Sequence, residues 1–444
     1  MRAGIFGGSR HSFRAGFLGT GVVKVASVAL GAGSGVLLAR ILGAQGYGVY
    51  AYAMALVTLL AVPAQLGFPS LLIRNIAAYE VRGQWALMRG LLIRSNQVSL
   101  AFSLLLYGAL SGGYWLLRGA DDSESMSTIL WGGMLLPLLT LGAMRGAALR
   151  GLRHVALGPF PEMVLKPALF ILLLFVVPVF RPGLTLSPAV VMSTHVIAAA
   201  VTFGVGAFLL VRRLPAEMKE VRPKFDTRIW FASAIPLLAI SALEIINAQI
   251  GVLFLGILAV PEDVGVYRAT NAAADLVGFA YLAVGMAVAP SISRLFSQRN
   301  LSGIQHLMTK SARVSLCFAL PVAALFIGFG GSVVGVVFGE EFRRGGVALG
   351  ILSVGQIVNC ATGAVVPLLN MTGFEKDTLK GFGLAITCNL LLDLFLIPIW
   401  NVEGAAFASA TSLIVWNVFL VWLVYRRLGI DATALGIWKF QRQS

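Results

Sequence analysis

Charge is the scarcest ingredient of this 444-residue chain: Asp, Glu, Lys and Arg together make up 12% of it, about half the share that soluble globular proteins carry. That scarcity argues strongly against a water-soluble enzyme. Cysteine is scarce too. Cys317, Cys360 and Cys388 all lie inside apolar runs with no metal-ligand spacing, so they read as small buried residues and not as a disulfide framework. There are four histidines, no HExxH or Cys/His cluster, and no GxxxxGK[ST] loop. No catalytic residue, metal site or built-in ATPase is therefore expected.

What is abundant is apolar: 58% of residues are hydrophobic and the mean hydropathy is +0.87, which excludes a disordered chain or a coiled coil. Fifty Gly and 17 Pro are compatible with membrane helices, which tolerate both. Twelve apolar runs are long enough to cross a bilayer at about 20 residues each. They lie near 16–38, 47–69, 92–114, 127–148, 159–180, 187–211, 229–257, 264–290, 312–338, 346–370, 381–399 and 404–425. The expected fold is an all-α polytopic membrane protein with about twelve transmembrane helices. The first run follows a basic leader but is too long for a signal peptide and reads as an uncleaved first helix.

The formal net charge of +15 raises nucleic acid as a partner, but such binders gather Lys and Arg on one face or stripe. Here they sit in short clusters between apolar runs, the pattern of membrane topology. With Arg2, Arg10 and Arg14 cytoplasmic, the inner segments collect Arg74, Arg82, Arg89 and Arg94, then Arg145, Arg150 and Arg153, then the cluster from Arg212 to Arg228. Arg294, Arg299, Lys310, Arg313, Lys376, Lys380, Arg426, Arg427, Lys439 and Arg442 join them. Outside remain Arg40, Arg118, Arg181, Arg343 and Arg344, beside Asp121, Asp122, Glu124, Glu262, Asp263, Glu340 and Glu341. Both termini are then cytoplasmic.

The most polar stretch divides the chain into an N-terminal six-helix lobe (1–211), a basic cytoplasmic linker (212–228) and a C-terminal six-helix lobe (229–444). Gly48-Val49-Tyr50 opens the second run of the first lobe and Gly265-Val266-Tyr267 the second run of the other. That match in position points to a parallel duplication, with substrate held between the two copies.

A charge at membrane depth is costly and needs a partner, a cavity or a route to the headgroups. Lys24 on the first run either snorkels to the inner headgroups or faces a cavity. Arg268, Asn271 and Asp275 stand at i, i+3 and i+7 on the eighth run, a polar stripe on one helical face. It reads either as an internal structural pair or as a cavity wall in which Arg268 offers donors to a phosphate. Glu244 and Asn247 form an i, i+3 pair on the seventh run. Glu162 and Lys166 form an i, i+4 pair on the fifth, among Pro159, Pro161 and Pro167, which would open that helix. Asp393 has no obvious local partner. Asp275, Glu244 and Asp393 are the candidates for ion or proton coupling. Arg74 and Arg145, with Arg150, end helices near the cytoplasmic face, either as headgroup anchors or as the mouth for an anionic lipid.

The run Leu37-Leu38-Ala39-Arg40-Ile41-Leu42-Gly43 followed by Tyr47-Gly48-Val49-Tyr50, and then Gly67 and Arg74-Asn75, resembles the opening of the polysaccharide (O-antigen type) flippases. These belong to the multidrug/oligosaccharidyl-lipid/polysaccharide exporter superfamily. Val264 to Ala269, Pro290 to Leu295, Leu349 to Gln356 and Leu369-Asn370-Met371-Thr372-Gly373 continue the similarity through the second half. The resemblance implies two pseudo-symmetric six-helix lobes around a central cavity, in the bacterial inner (cytoplasmic) membrane. It also implies translocation of a polyprenyl-pyrophosphate-linked oligosaccharide by alternating access, with Na+ or H+ as coupling ion and glycan-assembly enzymes and membrane lipids as partners. In chemistry, Lys24, Arg268 and Lys166 are the equivalents of the family's cationic cavity. Members usually carry an acidic residue on the seventh helix shortly before the pair equivalent to Leu255-Gly256; this chain has Asn247, Gln249 and Gly251 there, with Glu244 slightly earlier.

Three other functions compete. A multidrug or toxin cation exporter would favour an acidic, aromatic cavity. A lipid II flippase of the same superfamily usually has helices beyond twelve. A membrane glycan polymerase or ligase needs acidic residues on sizeable outer loops, and the largest here, about 115–126, holds only Asp121, Asp122 and Glu124. Replacing those three acids together by their amides is expected to leave surface-glycan export at the wild-type level. Loss of polymerised glycan in that variant would mark a polymerase instead.

Overall fold

The structure, a computed structural model, describes residues 9–118, 123–181, 183 and 185–436. Arg2, Asp121, Asp122, Lys439 and Arg442 of the charge pattern lie outside the described residues, as do the side chains of Arg10, Arg14, Arg118 and Lys219. Among the described residues there are helices and no strand. In order they are α1 (Ser9–Gln65), α2 (Phe68–Arg82), α3 (Trp85–Arg118), α4 (Ser123–Gly133), α5 (Leu135–Gly151), α6 (Lys166–Phe180) and α7 (Pro188–Arg213). A short α8 (Ala216–Glu220) precedes α9 (Thr227–Leu258), α10 (Pro261–Ser297), α11 (Leu301–Phe338), α12 (Gly346–Ala361), α13 (Val365–Met371) and α14 (Glu375–Leu428). Hydrocarbon offers no hydrogen bonds, so each crossing segment must satisfy its own backbone, and helix does this residue by residue.

Each of the twelve apolar runs falls on helical backbone. Among the described residues, eight helices are by themselves long and apolar enough to cross a membrane, and α12 with α13 makes a further span bent by 41°. Two of the eight carry two runs each, divided at a single non-helical residue. In α1 the break is Gly43, at φ 66° and ψ −179°, a conformation that only glycine adopts cheaply. The helix restarts at Ala44, whose N–H donates to the Glu341 carboxylate at 2.8 Å, so a side chain nearly 300 positions away caps an otherwise orphaned donor. In α14 the break is Asn401 at φ 44°, a residue type that tolerates left-handed backbone.

The spans bury only a minority of their residues inside the protein, between 11% and 44% of each hydrophobic window. Phe102, Leu105, Phe175, Phe318, Phe395 and Ile399 are among the large apolar side chains left exposed. In water such surface would be an aggregation hazard; against lipid tails it costs nothing. A multi-pass membrane protein follows from these faces together with the length of the helices.

Contacts divide the chain into two units. The first comprises Met1–Leu42 and Ala53–Ile245, the second Gly43–Tyr52 and Ile246–Ser444. The chain therefore passes between units inside α1 and inside α9, and not within the polar stretch 212–228 that the sequence marks as a linker. That stretch is docked within the first unit: Lys224 N–H donates to the Ala86 carbonyl at 2.9 Å, Arg89 donates to the Val221 carbonyl at 2.7 Å, and Arg94 lies over the Phe225 ring. The core of this unit joins Phe68, Leu71, Leu72 and Ile76 of α2 to Met88 and Leu91 of α3, Met144 of α5 and Trp230 of α9.

In the second unit, a core of Ile292, Ile304, Met308, Leu368, Leu420 and Val424 ties together α10, α11, α13 and α14. Amide side chains also link helices: Thr362 donates to Asn417 at 2.9 Å, and Asn417 to Asn359 at 3.2 Å, the kind of interhelical bond that holds helices where there is no hydrophobic drive between them. The closest backbone approach joins the two Gly-Val-Tyr copies. A Cβ on Gly48 would sit 1.7 Å from the Pro261 carbonyl oxygen, and one on Gly265 would sit 2.0 Å from that of Ala44. The contact is reciprocal, each copy's glycine resting on the turn before the other copy. Gly265→Ala is expected to destabilise the protein by about 1–3 kcal/mol through overpacking. Thermal unfolding in detergent would read this, with Gly31→Ala, where an added carbon meets nothing within 4 Å, as the unaffected control.

Candidate functional site

Within the second unit, α10 carries the stripe Arg268, Asn271 and Asp275 over two helical turns. Arg268 and Asn271 are half-buried and Asp275 is exposed, so the stripe rises from the protein toward accessible space. Tyr47 and Tyr50, at the start of the second span of α1, are 4% and 6% exposed. Arg268 lies close enough to Tyr47, Tyr50 and Asp275 for its charge to act on all three. A half-accessible guanidinium can donate two parallel bonds to a planar or tetrahedral oxyanion.

One residue earlier in the same helix, the Tyr267 hydroxyl lies 2.8 Å from the Ser409 hydroxyl, and Asn389 donates to that serine at 3.3 Å. Asn389 and Asp393 are i, i+4 on α14 and share a face. Asp393 is 0% exposed, yet neither of its carboxylate oxygens has a hydrogen-bond partner, and the Asn389 side-chain oxygen has none either. An isolated, bare carboxylate at membrane depth is prohibitively costly. Three orphaned oxygens on one helix face leave acceptor capacity of the kind that a proton or a small hard cation can fill.

The first unit holds a different arrangement. Arg145 on α5 is 3% exposed and pairs with Glu162 at 2.9 Å; it also donates to the Thr202 and Phe203 carbonyls at 3.3 and 3.2 Å. Lys166 lies 3.5 Å from the other Glu162 oxygen. The prolines around Glu162 set a π-helical turn, Pro161–Leu165, in place of regular α-helix. Two glycines make the room. A Cβ on Gly206 would sit 1.6 Å from the Arg145 guanidinium, and one on Gly142 would sit 2.5 Å from Glu162. The sequence puts Arg145 at a helix end facing headgroups or a mouth; the structure turns it inward, where its charge is balanced by the protein.

The remaining candidates are not gathered into one cluster. Lys24, half-buried on α1, belongs with Lys166 to the first unit, whereas Arg268 belongs to the second. Arg74 on α2 and Glu244 on α9 are exposed, and Asn247 is half-buried. Tyr47, Tyr50, Asn389 and Ser409 complete the sites around Arg268 and Asp393 and were not singled out as site residues by sequence reasoning. Asn389 carried a usable signal, the i, i+4 spacing to Asp393. Ser409 carried none.

The family model described as "Polysaccharide biosynthesis protein" matches residues 13–296. Among curated relatives, the Haloferax volcanii protein named "Probable flippase AglR" is 26% identical over 172 residues, 38% of this chain and 36% of that protein. "Probable low-salt glycan biosynthesis flippase Agl15" of the same organism is 26% identical over 170 residues, 38% of this chain and 35% of that protein. The chain thus spans only about a third of the length of the curated relatives it matches. In fold it is similar to an inward-facing multidrug resistance MATE family transporter of the MOP superfamily, at a TM-score of 0.73 with 14% identity, covering 91% of this chain and 94% of that one. It is likewise similar to the lipid II flippase MurJ in an inward closed conformation, at a TM-score of 0.68 with 14% identity over 91% of this chain and 87% of that one. The apolar runs, the helical spans and the profile match over most of the chain converge, and this protein belongs to the polysaccharide biosynthesis protein family.

Proposed function

We propose that this protein is a flippase: it carries a polyprenyl-pyrophosphate-linked oligosaccharide from the inner to the outer leaflet of the cytoplasmic membrane by alternating access, and does no covalent chemistry on it. The observation that carries the reading is Arg268, a half-accessible guanidinium at membrane depth with Asn271 on the same face of α10. The family supports it, as do the names of the two Haloferax relatives. The physics is consistent. A pyrophosphate-sugar headgroup crossing hydrocarbon unaided loses water from every charge and hydroxyl. A fixed cation inside the protein replaces part of that hydration, while the polyprenyl tail stays in lipid.

The orientation in this proposal has both termini cytoplasmic, as the basic clusters require. Lys24, Lys166 and Arg74 are the further candidates for contact with the headgroup, and Arg145 holds Glu162 beside Lys166. Drive comes from H+ or Na+. Asp393 is the coupling residue, because its buried carboxylate has no protein partner to neutralise it, whereas Glu244 and Asp275 reach accessible surface. Asn389 and Ser409 would hold the ion with it. Tyr267, which meets Ser409 at 2.8 Å, directly precedes Arg268 on α10, so occupancy of the Asp393 site would bear on the helix that carries Arg268.

Arg268→Ala is expected to lower export of the lipid-linked glycan by about ten- to a hundredfold, the loss of one charge-assisted contact of roughly 1.5–3 kcal/mol, with Arg268→Lys recovering part of it. Asp393→Asn is expected to leave glycan binding intact while abolishing the dependence of transport on the ion gradient. Both are measured in reconstituted vesicles with an outer-leaflet accessibility probe. Normal export in Arg268→Ala, together with uptake of an organic cation that needs Asp275, would move the protein to the drug-exporter class.

A further inference from the structure

The two ion pairs around Glu162 in the first unit are unequal. Oε1 accepts from the Arg145 guanidinium at 2.9 Å, whereas Oε2 lies 3.5 Å from the Lys166 ammonium, beyond ordinary hydrogen-bond length. Arg145 is pinned in turn by the Thr202 and Phe203 carbonyls, so one cation fixes the carboxylate and the other only stands beside it. Among the described residues the Lys166 ammonium makes no hydrogen bond, and 17% of its side chain is accessible. It has three donors to satisfy, and charge left bare at membrane depth is costly. Arg145 and Lys166 set two positive charges against the one negative charge of Glu162. The excess is positive, and of the two cations Lys166 is the one within reach of a ligand.

We propose that Glu162 is a resident competitor for the phosphate of the cargo. It holds Lys166 while no cargo is bound, gives the ammonium up to a phosphate oxygen when the lipid-linked headgroup arrives, and takes it back on release. Arg145 is the positioning residue that keeps the carboxylate in place throughout. The inference rests on the flippase reading and deepens it, adding a contact that is exchanged during each cycle. Lys166 lies five residues into the span Pro161–Phe180, about 8 Å from its start at 1.5 Å per residue. In the proposed orientation that start is cytoplasmic, so a headgroup entering from the inner leaflet meets Lys166 early.

The residue types suit the division of labour. A guanidinium is a rigid fork that fits a fixed multidentate site, whereas an ammonium on a four-carbon stem turns its donors easily from one acceptor to another. Gly142 and Gly206 leave room for the fixed half only, since a Cβ on either would collide with Glu162 or Arg145. A pyrophosphate presents several charged oxygens where Glu162 presents one, so it takes the ammonium when present. The tethered carboxylate takes it back when the phosphate moves away. A passage through a membrane needs binding that is favourable enough to enter and weak enough to leave. A neighbouring acid lowers the affinity of Lys166 for an anion without removing the cation that recognises it.

The test measures binding of undecaprenyl pyrophosphate bearing one N-acetylglucosamine to the full-length protein in phosphatidylcholine nanodiscs, and its translocation in reconstituted vesicles. Glu162→Gln keeps an oxygen for Arg145 but removes the competing charge; it is expected to bind about tenfold more tightly and to translocate more slowly at saturation. Arg145→Gln leaves Glu162 to Lys166 alone and is expected to bind about tenfold more weakly. The double variant Arg145→Gln/Glu162→Gln holds neither charge and is expected to bind at least as tightly as the wild type, which keeps the test decisive if a single variant misfolds. Lys166→Gln is expected to abolish most of the gain from Glu162→Gln, and Glu217→Gln, an exposed acid of α8, to change neither quantity. A merely structural cluster would weaken binding in both single variants, and that result overturns the proposal. So does faster translocation in Glu162→Gln, or equal competition for the site by phosphatidylglycerol. A wild type that neither binds nor moves the probe counts against the flippase reading itself, whereas normal transport with binding unmoved by Glu162→Gln counts against the exchange alone.

Discussion

Hydrocarbon does not solvate charge, and that one constraint orders both the helices and the sites of this protein. Backbone polar groups retreat into helices. The few ionisable side chains at membrane depth are either matched by the protein or left to be matched by something else. Arg145 is of the first kind: Glu162 and two backbone carbonyls surround it, and Gly142 and Gly206 give up their side chains to let it in. Asp393 is of the second kind, with buried oxygens that no protein group satisfies. Arg268 lies between, half-buried with the Tyr47 and Tyr50 hydroxyls near it. A transporter needs residues of the latter two kinds, because a charge already balanced by a countercharge of its own protein has little reason to bind cargo or ion.

Small residues set where those charges can be brought together. The reciprocal contact between Gly48 and Gly265 holds the start of the second span of α1 against α10, which is what puts Tyr47 within reach of Arg268. The same start is capped by Glu341 across the break at Gly43. Arg268, the tyrosines and the two Gly-Val-Tyr copies are thus parts of one local assembly, even though 217 positions separate Gly48 from Gly265 in the chain.

Much of the fold was legible in the sequence, because the bilayer imposes a length and a composition on every crossing and both can be read from one line of residues. The twelve apolar runs and the polar stripe on α10 could be seen in that way. Partnership could not. Nothing local distinguishes Arg145, which ends a helix near a basic cluster, from Arg74, which does likewise; the difference is made by glycines on α5 and α7 that open space for one of them. Ser409 and Asn389 join the Asp393 site only because the break at Asn401 folds α14 back on itself, and a single φ angle leaves no trace in composition. The stretch 212–228 reads as a free linker by its charge, yet its backbone is held on α3 through Ala86 and Arg89.

The central claim is that the cargo is a glycan on an anionic lipid, moved whole between leaflets. Mass spectrometry of lipid-linked oligosaccharides in cells lacking the protein, combined with an impermeant probe of the outer leaflet, tests it most directly. The account predicts that one complete glycan accumulates on its lipid carrier and is confined to the inner leaflet. Normal surface glycan with no such accumulation would contradict it.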